Sequence, residues 1–311
     1  MAKSAAGKAI KGYLRTYPFA PRYRGATKLT LHTSDGVRLA ATHLKGPADA
    51  VATVVLVHGF VNWSRTPRMH RFAHLLARRA HVIVPDLRGH GRSGGKGTMG
   101  LKEPLDVEAA VAAAKEAHPD LPVVTMGMSL GGAAVLLHAG TAGGVAGVIA
   151  VSAPAFFVTD TAGTQQIHRW ITGRTGRMML ARLARTRIAR DNDAVPDSAA
   201  SVAAIAPAFT IIMHDPDDWY FPGHHAGLLH TWAQHPKALW WYPRSGHGTD
   251  LLTHALAKRV LAEIDTRLGA GASVGAVAGM PGGDQVGAPY EGGEQGDAAG
   301  HDAREKHPVH A

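Results

Sequence analysis

"VVTMGMSLGGAAVLLHA", residues Val123–Ala139, opens as an apolar, β-forming run and closes as a helix-forming one. Between them sits Gly127-Met128-Ser129-Leu130-Gly131, a serine with glycine two residues before it and two after. Two readings fit so tight a turn. One is a structural turn that happens to contain serine. The other is a nucleophile at a strand-to-helix elbow, its Oγ raised at the C-terminal edge of a sheet while the glycines permit strained backbone and close packing. The five-residue pattern arises by chance too often to decide alone. The rest of the chain has to supply a base, an acid and an oxyanion site.

Outward from the elbow, the sequence alternates between two periods. "TKLTLHT" and "VRLAATHL" flank Ser34-Asp35-Gly36 and predict an antiparallel hairpin. "ATVVLVHGF" and "HVIVPDLRGHGRSGG" begin as continuous β-branched runs, the signature of strands buried on both faces. Helical spacing is expected from about Pro67 to Ala80 and over 102–117, 224–235 and 249–267. Further strands are expected at "VAGVIAVSAP", "AFTIIMHD" and "ALWWYP". A leading hairpin followed by βαβα alternation predicts an α/β fold. Its sheet is mostly parallel, with helices on both faces. The rhythm breaks at about 155–206, where "QQIHRWITGRTGRMMLARLARTRIAR" reads as a small helical cap inserted into a domain spanning 26–267. Residues 1–25 form a basic leader. From 268 to 311 the Gly, Ala and acidic composition has no period and predicts disorder.

Composition excludes several function classes. The 311 residues contain no cysteine, which removes disulfides, thiolate metal sites and a cysteine nucleophile. No apolar run reaches the roughly 20 residues a bilayer crossing needs, and the basic N-terminus lacks the apolar core of a signal peptide. The expected location is cytoplasmic. The net charge of +9 comes from residues 1–28 and 160–190, offset by the acidic tail; the body is neutral. A nucleic-acid partner would require a basic groove with base-reading side chains, and none is visible. The Arg-rich cap allows weak contact with an anionic membrane surface, although charge runs more commonly face solvent. No oligomeric state is assigned.

Chemistry concentrates at the predicted strand ends. Ser129 needs a general base and a group to orient it. His247, in the Gly-flanked loop "SGHGTD" after the last apolar strand, is the candidate base. For the acid, "MHDPDDWYFP" offers Asp215, Asp217 and Asp218. Oxyanion donors are expected from the backbone N–H groups of Leu130, directly after the serine, and Phe60, after "VVLVHG". His58, Met128, Trp170, Met178 and Trp219 are candidate substrate contacts. His214 suits packing or hydrogen bonding. His224-His225 and the tail histidines lack carboxylate or cysteine partners at ligand spacing, so no metal and no cofactor is expected. Gly89–Gly94 matches G-x-G-x-x-G, but no helix opens within it, which argues against a dinucleotide site.

The motifs "VVLVHGF", "VIVPDLRGHGRSGG", "GMSLGG", "HDPDDWYFP" and "SGHG", in this order and spacing, resemble the α/β-hydrolase superfamily. The nearest branch holds esterases, monoacylglycerol-lipase-like and serine-aminopeptidase-like proteins. The resemblance covers roughly residues 25 to 267. It implies Ser129 as nucleophile, Asp218 as acid and His247 as base. Asp218 follows from laying "HDPDDWYFP" on the family's H-G-x-x-D-x-x-x-P, where Asp215 replaces the usual glycine and Asp217 stays as a fallback. The implied activity is hydrolysis of a carboxylic ester or related acyl bond through an acyl-enzyme. Short-to-medium acyl substrates are expected in preference to long triglycerides. The alternatives are a catalytically silent binding protein on the same fold and a peripheral membrane-surface protein using the Arg-rich cap.

Overall fold

The computed structural model describes residues 21–157, 165, 169–190 and 197–269. The acidic tail beyond 269, most of the basic leader and parts of the cap lie outside the described residues. Eight strands form one sheet in the order β1-β2-β4-β3-β5-β6-β7-β8. β1 (Thr27–His32) and β2 (Arg38–Leu44) are the expected hairpin, paired antiparallel from Thr27↔His43 to His32↔Arg38. β2 joins the sheet antiparallel to β4 (His81–Pro85). From β4 onward every pairing is parallel, through β3 (Thr53–Val57), β5 (Val123–Met128), β6 (Gly147–Val151), β7 (Phe209–His214) and β8 (Lys237–Trp241).

The central strands are buried at every position, and apolar at nearly all, because both faces are covered. On β3, Val55 and Val57 enter one core and Val54 and Leu56 the other. The first core holds α2 (Glu103–Ala117), α3 (Leu130–Thr141), α5 (Ser198–Val202) and α6 (His224–Trp232). The second holds α1 (Pro67–Leu76) and α7 (His254–Leu268), through Met69, Phe72 and Leu76 on one helix and Leu256, Val260 and Ile264 on the other. Fully burying an apolar side chain of this size stabilises a fold by about 1.5–3 kcal/mol, so truncating Phe72 or Val260 would open a cavity under the sheet. Among the described residues no helix is long and apolar enough to cross a membrane.

The expected cap divides in two. Ala199, Val202 and Ile205 pack into the main core rather than over the sheet edge. The part that stands apart is α4 (Arg174–Leu183) with its flanks, whose Ile171, Leu180, Ala184 and Ile188 form a small cluster with Met99, Phe60 and Val61. The Gly89–Gly94 segment is a loop, as its lack of a helix implied. It bridges to the cap at His90↔Thr186, and Gly97 just beyond it bridges to Ile188. Arg88 anchors the base of this loop. Its buried guanidinium donates to Asp35 in the hairpin turn and Asp106 on α2, at 2.8 Å each, so the charge removed from water is met by two carboxylates.

Candidate active site

Ser129 lies between β5 and α3 at φ +52°, ψ −117°, a conformation costly to any side chain and held by what surrounds it. Its N–H donates to the Val151 carbonyl at 2.8 Å and its carbonyl accepts from Ala133 N–H at 3.0 Å. The flanking glycines are required by close approach. A Cβ on Gly127 would strike the carbonyl of Gly131, and one on Gly131 would strike the carbonyl of His58. The elbow is therefore wedged against the β3 exit, and a Cβ placed on Gly59 would stand 3.3 Å from that of Ser129.

Two further strand exits converge on the serine. The loop after β8 carries His247, whose Nε2 lies 2.9 Å from Ser129 Oγ. The loop after β7 carries Asp218, whose Oδ2 lies 2.7 Å from His247 Nδ1. The carboxylate fixes the tautomer: Nδ1–H donates to Asp218, which leaves Nε2 to accept from the serine hydroxyl. Asp218 Oδ1 is held in turn by the N–H groups of Tyr220 at 2.8 Å and Phe221 at 3.2 Å. Burial alone would raise the Asp218 pKa; the His247 ring and the Tyr220 amide outweigh it and leave the pKa lowered. The rings of Trp219, Tyr220 and Phe221 surround His247 at 5.2–6.2 Å between centroids. His214 Nε2–H donates to the Phe221 carbonyl at 2.8 Å and supports the same loop. Asp217 is exposed and stands outside this chain of bonds.

The residue that departs from the family pattern has a structural role that the sequence did not disclose. Asp215, 1% exposed, accepts from the N–H groups of Asp217 at 3.0 Å, Arg244 at 3.1 Å and Gly246 at 2.6 Å. Its side chain ties the acid loop to the histidine loop, a task glycine could not perform. Ser152, after β6, adds a second tie: its Oγ accepts from Gly248 N–H at 3.0 Å. Asp250 accepts from the His247 N–H at 3.4 Å and pairs with Arg68 on α1. Four consecutive or near-consecutive amides, 244, 246, 247 and 248, are thus held by side chains, from two other segments and from Asp250 within the same loop. The only sequence signal for Asp215 was the mismatch with glycine.

The remaining candidates separate clearly. Leu130 is the first residue of α3, so its N–H has no acceptor within the helix. Phe60 follows Gly59 at the β3 exit, beneath the cap cluster, and is followed by Val61 at φ +53°. His58 is fully buried. Its Nδ1–H donates to the Gly59 carbonyl at 2.8 Å and its Nε2 accepts from Leu87 N–H at 2.9 Å, so neither ring nitrogen is left for a substrate. Burial lowers its pKa to about 4, and that of the neighbouring His90 also to about 4. Met128 is fully buried in the second core. Trp170 and Met178 are exposed on the cap, 47% and 48%; the cap residues of the cluster against which Phe60 packs are Ile171, Leu180, Ala184 and Ile188. Trp219, 40% exposed, remains beside His247. Large apolar residues stand side by side in the cap sequence, which hid this division.

Known proteins resemble this chain in sequence and in fold. Over 129 residues the chain is 32% identical to a monoacylglycerol lipase of Mycolicibacterium smegmatis, a match covering 40% of this chain and 45% of the lipase. It therefore spans about half the length of that relative. An esterase of Pyrococcus furiosus superposes with a TM-score of 0.61 at 19% identity, covering 78% of this chain and 92% of the esterase. An α/β hydrolase of a Penicillium species gives 0.65 at 17% identity, with 78% and 99% covered. At such identities these two structures show the fold. The model of the family described as serine aminopeptidase, S33, matches residues 48–211, more than half of the chain. A βα elbow bearing a serine, on a sheet of this topology and inside that match, leads to one conclusion: the chain belongs to the serine aminopeptidase S33 family of α/β hydrolases.

Proposed function

We propose that the protein is a serine hydrolase that cleaves a carboxylic ester of a small or medium acyl group through an acyl-enzyme on Ser129. The observation that supports this reading is the unbroken line of hydrogen bonds from Asp218 through His247 to Ser129. Ser129 Oγ attacks the acyl carbonyl as its proton passes to His247 Nε2, and Asp218 stabilises the imidazolium that results. The carbonyl electron pair moves onto oxygen, which rests on the amides of Phe60 and Leu130. When the tetrahedral centre collapses, the ester C–O bond breaks and the departing alcohol takes the proton from Nε2. Water then enters by the same route, with His247 again as base, and releases the acid. The domain carrying this chemistry is read as 26–267, with the cap at about 155–206 and its working part at α4.

The substrate reading rests on scale. The cap cluster over Phe60 contains five buried apolar residues, Met99, Ile171, Leu180, Ala184 and Ile188, a short wall that suits short acyl chains better than a triglyceride. Ser129→Ala tests the assignment directly. Hydrolysis of a p-nitrophenyl ester and labelling by a fluorophosphonate should both be lost, with turnover falling by 10³-fold or more. Turnover at the wild-type rate would reject the mechanism.

A further inference from the structure

At the end of the sheet remote from Ser129, three histidines widely separated in sequence meet. His43 lies near the end of the antiparallel β2, His81 opens β4, and His118 immediately follows α2. Each offers one ring nitrogen, and the three nitrogens all lie within 4.8 Å of one another. His43 Nε2 and His118 Nε2 are 3.0 Å apart, and the His118 ring stacks on His81 with centroids 3.6 Å apart. His43 and His118 are partly exposed, so solvent reaches the cluster; His81 is buried beneath them.

We propose that His43, His81 and His118 form a binding site for a borderline divalent cation, Zn²⁺ foremost, that clips the antiparallel edge of the sheet to the end of α2. Three imidazoles and a water make a tetrahedral set, with bonds of about 2.0–2.1 Å that place neighbouring ligand nitrogens about 3.3 Å apart. The His43–His118 separation already has that scale. Between neutral rings such an approach needs a shared proton, and a cation takes that proton's place. Burial, and after it the neighbouring cationic groups, lower the pKa of all three rings, that of His81 to about 4; neutral imidazole is the form that ligates.

The competing interaction is equally specific. Gly46 N–H donates to His81 Nδ1 at 3.0 Å, which places the proton of the neutral ring on Nε2. Ligation costs His81 the Gly46 bond by either route, since Nε2 can ligate only with the proton on Nδ1 and Nδ1 can ligate only in place of Gly46 N–H, and the ring must tilt out of the His118 stack. Lys45 adds a nearby positive charge. These costs set the expected affinity at micromolar rather than nanomolar.

The test uses the full chain without an affinity tag. Calorimetric titration with ZnCl₂ should show one strong equivalent, and Co²⁺ should give the intense visible bands of a tetrahedral site. Saturating Zn²⁺ should raise the melting temperature by about 5 °C. The double variant His43→Gln/His118→Ala should lose the equivalent and the bands, weakening binding at least tenfold, while keeping its circular dichroism and its ester turnover. His70→Ala/His74→Ala, which removes a histidine pair on α1, should keep both. The proposal is overturned if the wild-type protein binds no such equivalent, if the first double variant retains it, or if the α1 variant abolishes it.

Discussion

The two ends of the sheet are built differently. Six non-glycine residues have positive φ among those described: Val61, Met99, Ser129, Ser152, Arg185 and Arg244. Five follow strand exits, after β3, β4, β5, β6 and β8, and Arg185 follows the cap helix. The described turns at the strand entrances have none. Where β7 has no strained residue at its exit, it supplies Asp215, whose carboxylate collects three amides. The entrance end carries no such positive-φ side chain among the described residues, and His43, His81 and His118 gather there. A cation bound there would act on stability alone. At the exit end, backbone strain and side-chain ties are committed to the geometry of one serine and one imidazole.

That contrast can be broken most forcefully at Asp215. Asp215→Ala frees the amides of Arg244 and Gly246 and lets the His247 loop drift; a misplacement near 1 Å costs about 10²-fold. We expect that loss in kcat with KM little changed, and partial recovery in Asp215→Asn, which keeps an acceptor oxygen. A loss confined to KM would mean that the residue contacts substrate instead of positioning His247.

Acid sensitivity should be shared by both ends: burial lowers the pKa to about 4 for His81 at the entrances as well as for two rings at the exits. His58 and His90 are fully buried, and burial lowers the pKa of each to about 4 in the folded chain. Between pH 6.5 and 4 the unfolded chain binds protons that the folded chain refuses, so stability falls as pH drops through that window. Urea unfolding at pH 5 should show a loss of about 2 kcal/mol or more relative to pH 7.5. Equal stability at the two pH values would show that these rings accept protons without disturbing the fold.

The smallest effects belong to the cap, where its two faces can be set against each other. Leu180→Ala on the inner face should lower kcat/KM for a medium-chain ester by about tenfold, the scale of a few lost methylene contacts, and spare acetate esters. Met178→Ser on the outer face should leave soluble esters within twofold. If the Arg-rich face meets anionic membranes, the same Met178→Ser variant should pellet less with anionic liposomes, and salt should weaken pelleting of both proteins. Equal effects of Leu180→Ala on both esters would place the acyl chain elsewhere.

Much of this was legible in the residues. The hairpin follows from alternation around Ser34-Asp35-Gly36, and the central strands from runs with no polar face. The elbow shows because Gly127 and Gly131 are demanded by backbone contacts that no other residue permits. Motif order and resemblance point to the three residues that are hydrogen-bonded in line. What stayed hidden depends on orientation or on contacts distant in sequence. Trp170 and Met178 could not be told from Ile171 and Leu180, because large apolar residues stand side by side both in α4 and in the segment before it. Nothing in the sequence around His58 discloses that both its ring nitrogens are engaged. No sequence spacing unites residues 43, 81 and 118; only the placement of β2 beside β4 and the return of α2 bring them together.

Val61 carries a consequence for how this protein can evolve. A β-branched residue at φ +53° sacrifices about 1–3 kcal/mol, and glycine or asparagine would recover part of it. A population selected for heat tolerance alone would find that substitution early, since such gains are common and easily reached. It would also loosen the peptide next to Phe60. Persistence of valine at this position among descendants would therefore record selection for turnover, and its replacement would mark lineages in which the reaction had ceased to matter.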